Sequence, residues 1–120
     1  MKAAIVGCGT IAPVHAKSLQ RIEGCEIAGF ADIKQERARE FADRYGGLAY
    51  DGLEEMILCE KPDVLHICTP HYLHVPMAVY GLSHGVNVFM EKPPAISTGQ
   101  YEQLKSAVAT SEQRLGFCFQ

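Results

Sequence analysis

Residues 3–12 read AAIVGCGTIA: four apolar residues without a polar break, a glycine-rich turn, and then the start of a helical pattern. A strand with one face in water alternates apolar and polar residues, whereas a strand covered on both faces is apolar throughout. The opening run is of the second kind. Similar runs recur at 25–31 (CEIAGFA), 63–69 (DVLHICT), 86–90 (VNVFM) and 114–119 (RLGFCF), with a weaker strand at 47–50 (GLAY). Helical faces separate several of them: Ala38, Phe41, Ala42 and Tyr45; Val75, Ala78, Val79 and Leu82; Tyr101, Leu104 and Val108. Gly46 and Gly85 stand where two helices should stop, and Ser97 with Gln100 fits a capping box opening the last one. Strands alternate with helices over short connections, and such crossovers are right-handed. The expected fold is α/β: one domain over 1–120, a doubly wound parallel sheet in the order 3-2-1-4-5-6.

In that setting the turn G-C-G-T-I-A, Gly7 to Ala12, acquires a mechanism. Gly7 permits the tight turn, Gly9 lets a pyrophosphate come against the backbone, and Ala12 lets the helix pack close to the strand. Cys8, Thr10 and Ile11 complete the loop, and the N–H groups at the helix start face the phosphates. Asp32 closes the second strand twenty residues beyond Ala12, the place for an acid that accepts hydrogen bonds from ribose hydroxyls. An acid there repels a 2′-phosphate and favours NAD. Lys34 and Arg37 follow closely and keep NADP open. The bland alternative is a strand–helix turn with a capping aspartate, but turn, acid and spacing agree as a set.

Composition narrows the partners. Net charge is −3 with Lys and Arg scattered, which excludes the basic footprint of a nucleic-acid binder. No apolar run reaches the ~20 residues of a membrane helix. Five dispersed cysteines, with no C-x-x-C and no Cys/His ligand pair, argue against a disulfide framework or a metal site and fit reduced thiols in a cytoplasmic protein.

In a doubly wound sheet, ligands collect beyond the carboxyl ends of the strands where the strand order reverses. The fourth strand ends in CTPHYLH (68–74) and the fifth in MEKPP (90–94). Thr69 and Pro70 form a stiff exit toward a nicotinamide ribose. His71 sits at the loop apex. His74 reads either as a cofactor contact or as a helix-start residue bonded to loop backbone. His15, in line with Ile11 and Leu19, reads as packing or a loop contact, with the cofactor as the other option. Glu91-Lys92 ends the fifth strand, and Pro93 and Pro94 forbid its continuation. Lys92 so placed can hydrogen-bond a reacting oxygen and stabilise charge as hydride moves; its bland reading is a solvated lysine paired with Glu91.

These segments, AIVGCGTIAPVHAKSL, ADI, ICTPHYLHVPMAVYGLSHGVNVFMEKPPAIS and LGFCFQ, together resemble the Gfo/Idh/MocA oxidoreductase family over essentially the whole chain, E-K-P being the most specific motif. The resemblance implies a Rossmann domain for NAD or NADP, with phosphates at Gly7, Gly9 and Ala12, ribose at Asp32, catalysis at Lys92, and a Lys92–Pro93 peptide open to the cis form. His71 departs from the Asn usual at its place. The family continues into a second α+β domain that shapes the substrate pocket. The chain, stopping at Gln120, is therefore expected to be an isolated cofactor domain of a dehydrogenase for sugar, polyol or cyclitol hydroxyls, binding NAD but turning over little alone. Removing such a partner bares an apolar last strand, so a homo-oligomer is expected. A non-catalytic NAD(P)-binding sensor is the alternative, against which Lys92 speaks. An S-adenosylmethionine methyltransferase uses neither the E-K-P rim nor the T-P loop.

Overall fold

A computed structural model describes residues 1–118. The elements are β1 (Lys2–Val6), α1 (Ala12–Gln20), β2 (Glu26–Ala31), α2 (Gln35–Tyr45), β3 (Leu48–Tyr50), α3 (Leu53–Glu60), β4 (Val64–Ile67), a 3-10 turn (His71–Leu73), α4 (His74–Ser83), β5 (Asn87–Met90), α5 (Thr98–Thr110) and β6 (Leu115–Phe117). All paired strands run parallel, in the order β3-β2-β1-β4-β5-β6. The doubly wound order expected from the sequence is thus the one observed. Apart from β1, which also takes in Lys2, the strands are shorter than the apolar runs that announced them. Residue 119, the end of the last run, lies outside the described residues.

Burial on both faces follows the pleat. Ala3 and Ile5 of β1 pack with Phe30, Ala38 and Phe41 beneath α1 and α2, while Ala4 and Val6 join Leu65, Ile67, Val88 and Met90 beneath α3, α4 and α5. Phe30, Phe41 and Tyr45 pack ring to ring on the first face. That face is less fully covered toward β4 and β5, where His66 and Phe89 are half-buried.

The punctuation acts where it was read. Gly46 caps α2 and Gly85 follows α4, both with positive φ. At α5, the Gln100 N–H donates to Ser97 Oγ at 3.1 Å, while Gln100 Oε1 accepts from the Ile96 N–H at 3.2 Å, one residue earlier than the reciprocal bond of a capping box. The peptide between Lys92 and Pro93 is cis.

Candidate functional site

The exit of β1 is closed on one side by the exit of β4. The Cys68 N–H donates to Val6 O, and the Gly7 N–H donates to Ala31 O, both at 2.8 Å. Gly7 has φ +92°, and a Cβ there would stand 2.6 Å from the carbonyl carbon of Cys68. Only glycine combines that dihedral with that approach. Gly9 is different: a Cβ there would meet nothing within 4 Å. No protein atom forces Gly9 to be small, so the open space beside it fits a ligand's approach, as the pyrophosphate reading requires. Ala12, the first residue of α1, is fully buried.

Asp32 faces this turn from the end of β2. Its Oδ2 accepts from the Cys8 N–H at 2.8 Å and its Oδ1 from the Lys34 N–H at 2.7 Å. The carboxylate is therefore aimed before any ligand arrives, and each oxygen keeps acceptor capacity for a hydroxyl. Burial, then the Asp32 charge, push the Cys8 thiol up to about 12, so it stays protonated and inert inside the turn.

A cavity of about 650 Å³ opens along these carboxyl ends. Gly7, Cys8, Gly9, Asp32, Thr69, Pro70 and His71 line it, together with Lys34 and Arg37 on the Asp32 side. It also has walls the sequence did not announce: Asp51 to Glu54 at the start of α3, and Met77 and Tyr80 of α4. A larger groove of about 1140 Å³ between α4 and α5 contains none of the expected site residues. Its size is outweighed by the chemistry of the smaller cavity, where glycine turn, acid and strand ends converge.

The E-K-P segment stands outside that cavity. His74 is fully buried, with Nδ1 2.9 Å from Pro93 O and Nε2 2.9 Å from Thr69 O. Each ring nitrogen faces a backbone carbonyl, and the one that carries the hydrogen donates to it, the geometry of a helix-start residue set between two loops. Through it the exit of β4 and the proline after Lys92 are held as one unit. His71, by contrast, is exposed at the cavity wall, its ring 5.6 Å from that of His74. Lys92 is exposed and forms no ion pair or hydrogen bond among the described residues. Glu91 does not pair with it. The Glu91 carboxylate turns instead to His15, whose Nε2 lies 2.6 Å from Oε1. The Cys118 thiol also bonds Glu91 and is raised, by burial first and then by that carboxylate; burial and the same charge raise Cys68. His15 is thus the loop contact of its two first readings, a buried partner of E-K-P rather than a wall of the cavity. Thr10 is exposed, and Ile11 packs at the margin of the core under α1.

Among the described residues, no cluster of three His, Cys, Asp or Glu side chains could hold a metal ion. No helix among them is long and apolar enough to cross a membrane.

A parallel sheet in this order, with a glycine turn facing an anchored acid, defines a dinucleotide-binding Rossmann domain. The chain belongs to the Gfo/Idh/MocA oxidoreductase family: the model of that family, an oxidoreductase family with an NAD-binding Rossmann fold, matches residues 1–119. It is 30% identical over 118 residues to glucose-6-phosphate 3-dehydrogenase of Bacillus subtilis, covering 98% of this chain and 33% of that protein. Over 105 residues it is 33% identical to scyllo-inositol 2-dehydrogenase (NADP(+)) IolU of the same species, covering 87% of this chain and 32% of that one. Its fold matches the WlbA dehydrogenase of Bordetella pertussis, solved with NADH and UDP-GlcNAcA, at a TM-score of 0.93 and 24% identity, over 98% of this chain and 34% of that one. The chain spans about a third of the length of the curated relatives it matches.

Proposed function

We propose that this chain binds NAD(H) in the cavity between the Gly7 turn and Asp32, and that Lys92 serves the reacting oxygen of a sugar, polyol or cyclitol hydroxyl. The observation that carries the reading is the Asp32 carboxylate, fixed by the Cys8 and Lys34 amides across the mouth of a 650 Å³ cavity. Gly7, Gly9 and the start of α1 would hold the pyrophosphate, Asp32 the adenosine ribose, and Thr69 and Pro70 the far ribose.

The nicotinamide, when bound, supplies the site for hydride exchange. The chain's contribution is electrostatic. The Lys92 ammonium, unpaired with Glu91, is free to donate a hydrogen bond to the substrate oxygen and to stabilise negative charge developing there. Carbohydrate as substrate class is supported by the relatives, among them the glucose-6-phosphate and inositol dehydrogenases. This chain spans about a third of those relatives, and these 120 residues alone are expected to turn over little.

Calorimetric titration with NAD⁺, NADH and NADPH tests the reading. Saturable binding of the NAD pair, tighter than NADPH, is expected. An Asp32→Ala chain should bind NADH at least about tenfold more weakly, a loss of about 1.4 kcal/mol. Absence of binding to all three would overturn it, as would an affinity indifferent to Asp32.

A further inference from the structure

Outside the cavity, three side chains form a line from the middle of the sheet to the E-K-P segment. His66 projects from β4 on the α1 side, and its Nδ1 lies 2.8 Å from Nδ1 of His15 on α1. On the far side of the His15 ring, Nε2 lies 2.6 Å from Glu91 Oε1. His15 is 4% exposed, so neither contact is a loose surface pairing. The two imidazoles meet edge to face at 5.1 Å, and Phe89 of β5 borders both, with ring centroids 5.0 Å from His66 and 5.8 Å from His15.

Two like nitrogens at hydrogen-bond distance require one to carry a hydrogen and the other to be bare. Burial first, then the neighbouring His15, push His66 down to about 4, so at neutral pH its ring has one hydrogen. A carboxylate oxygen accepts. Where each ring carries a single hydrogen, one arrangement satisfies both contacts in the line: His66 Nδ1–H donates to His15 Nδ1, and His15 Nε2–H donates to Glu91. Remove His66, and the buried Nδ1 of His15 loses the donor that makes this form satisfied.

We propose that His66 and His15 are positioning residues for Lys92: His66 fixes the hydrogen-bonding form of His15, and His15 draws the Glu91 carboxylate to α1 and away from the ammonium next to it. This rests on the reading of Lys92 given above. It adds a cause for the absence of a Glu91–Lys92 pair, and it places that cause on a strand two neighbours removed from the edge, in residues no glycine motif or loop signature marks. The opposite flank of Lys92 is held by His74 through Pro93 O. Lys92 thus stands between two tethers, both made by buried histidines.

The test is histidine ¹⁵N NMR on the chain as it stands, with His66→Phe and His66→Asn variants. Asparagine keeps an N–H donor near the place of Nδ1; phenylalanine keeps the ring and loses the donor. In the unchanged chain His15 should carry its hydrogen on Nε2 and His66 on Nδ1. In His66→Phe, water exchange of the His15 Nε2–H and of the Glu91 amide, which donates to Ile67 O, should rise at least tenfold. His66→Asn should restore both toward the original rates. NADH affinity should move less than twofold in either variant, because none of the three side chains lines the cavity. A His15 hydrogen found only on Nδ1, a His66 hydrogen found only on Nε2, or unchanged exchange in His66→Phe would overturn the proposal. Should His66→Phe fail to fold, the hydrogen positions in the unchanged chain and in His66→Asn still decide. If the cofactor reading itself is wrong, NADH fails to bind the unchanged chain while these NMR signals stand.

Discussion

The Gly7 turn and the E-K-P rim are built from different materials. At the turn, backbone groups form the site: a glycine at φ +92° pressed against Cys68, and two amides holding Asp32. At the rim, long-range side-chain bonds form it: His15 to Glu91 across 76 positions, and His74 to Pro93 across 19. A backbone site is damaged by adding atoms, because its shape depends on a missing Cβ. A tethered site is damaged by removing atoms, because its shape depends on partners being present. The two regions should therefore answer opposite kinds of substitution.

Gly7→Val should give the largest effect. The new Cβ would meet the Cys68 backbone at 2.6 Å in a conformation that β-branched residues avoid. A loss of at least about 3 kcal/mol in urea unfolding is expected, with NADH binding abolished. His74→Ala should come next, at about 3 kcal/mol, because a fully buried site empties and the carbonyl that accepts from the ring loses its donor. Thermal or urea melts would show whether the rim's tether matters to the fold as well as to Lys92.

A pH series separates the regions differently. His66 is lowered from 6.5 to about 4 by burial and by His15. The unfolded chain takes up a proton first, so stability present above pH 6.5 is lost as pH falls from about 6.5 to about 4. The loss should be about 2–3 kcal/mol, and His66→Phe should lack that part of the slope. Unfolding curves at half-unit pH steps would show it; parallel slopes in the two chains would contradict a half-buried ring held neutral. Gly9→Ala should have the smallest effect on the fold, within about 0.5 kcal/mol, because its Cβ meets no protein atom. The same change should weaken NADH about tenfold, or about 1.4 kcal/mol, by titration. A Gly9 variant that binds normally would remove the reason for an open position there.

The same contrast explains what the sequence could reveal. Strand order, helix ends and the phosphate turn are local patterns: apolar run, glycine, acid at a fixed spacing. Gly7, Gly9, Ala12 and Asp32 could therefore be placed by counting. The rim was legible only as far as Lys92, stranded by two prolines. Nothing in the spacing of His15, His66 and Glu91 says that α1, β4 and the end of β5 bring them together, since that follows from packing. His74 stood open between two readings because its partners, Thr69 O and Pro93 O, are backbone atoms of two loops. The wall at Asp51 to Glu54 was missed for a related reason: α3 approaches the crevice only once β3 has been laid beside β2.

The most direct test of the central claim is amide chemical-shift mapping with ADP-ribose and then NADH. The account predicts that ADP-ribose moves the amides of Cys8, Gly9 and Lys34, and that NADH adds shifts at Thr69 and Lys92, so that the two regions answer to the two halves of one ligand. Shifts confined to the groove between α4 and α5, with the Gly7 turn and Asp32 silent, would contradict it.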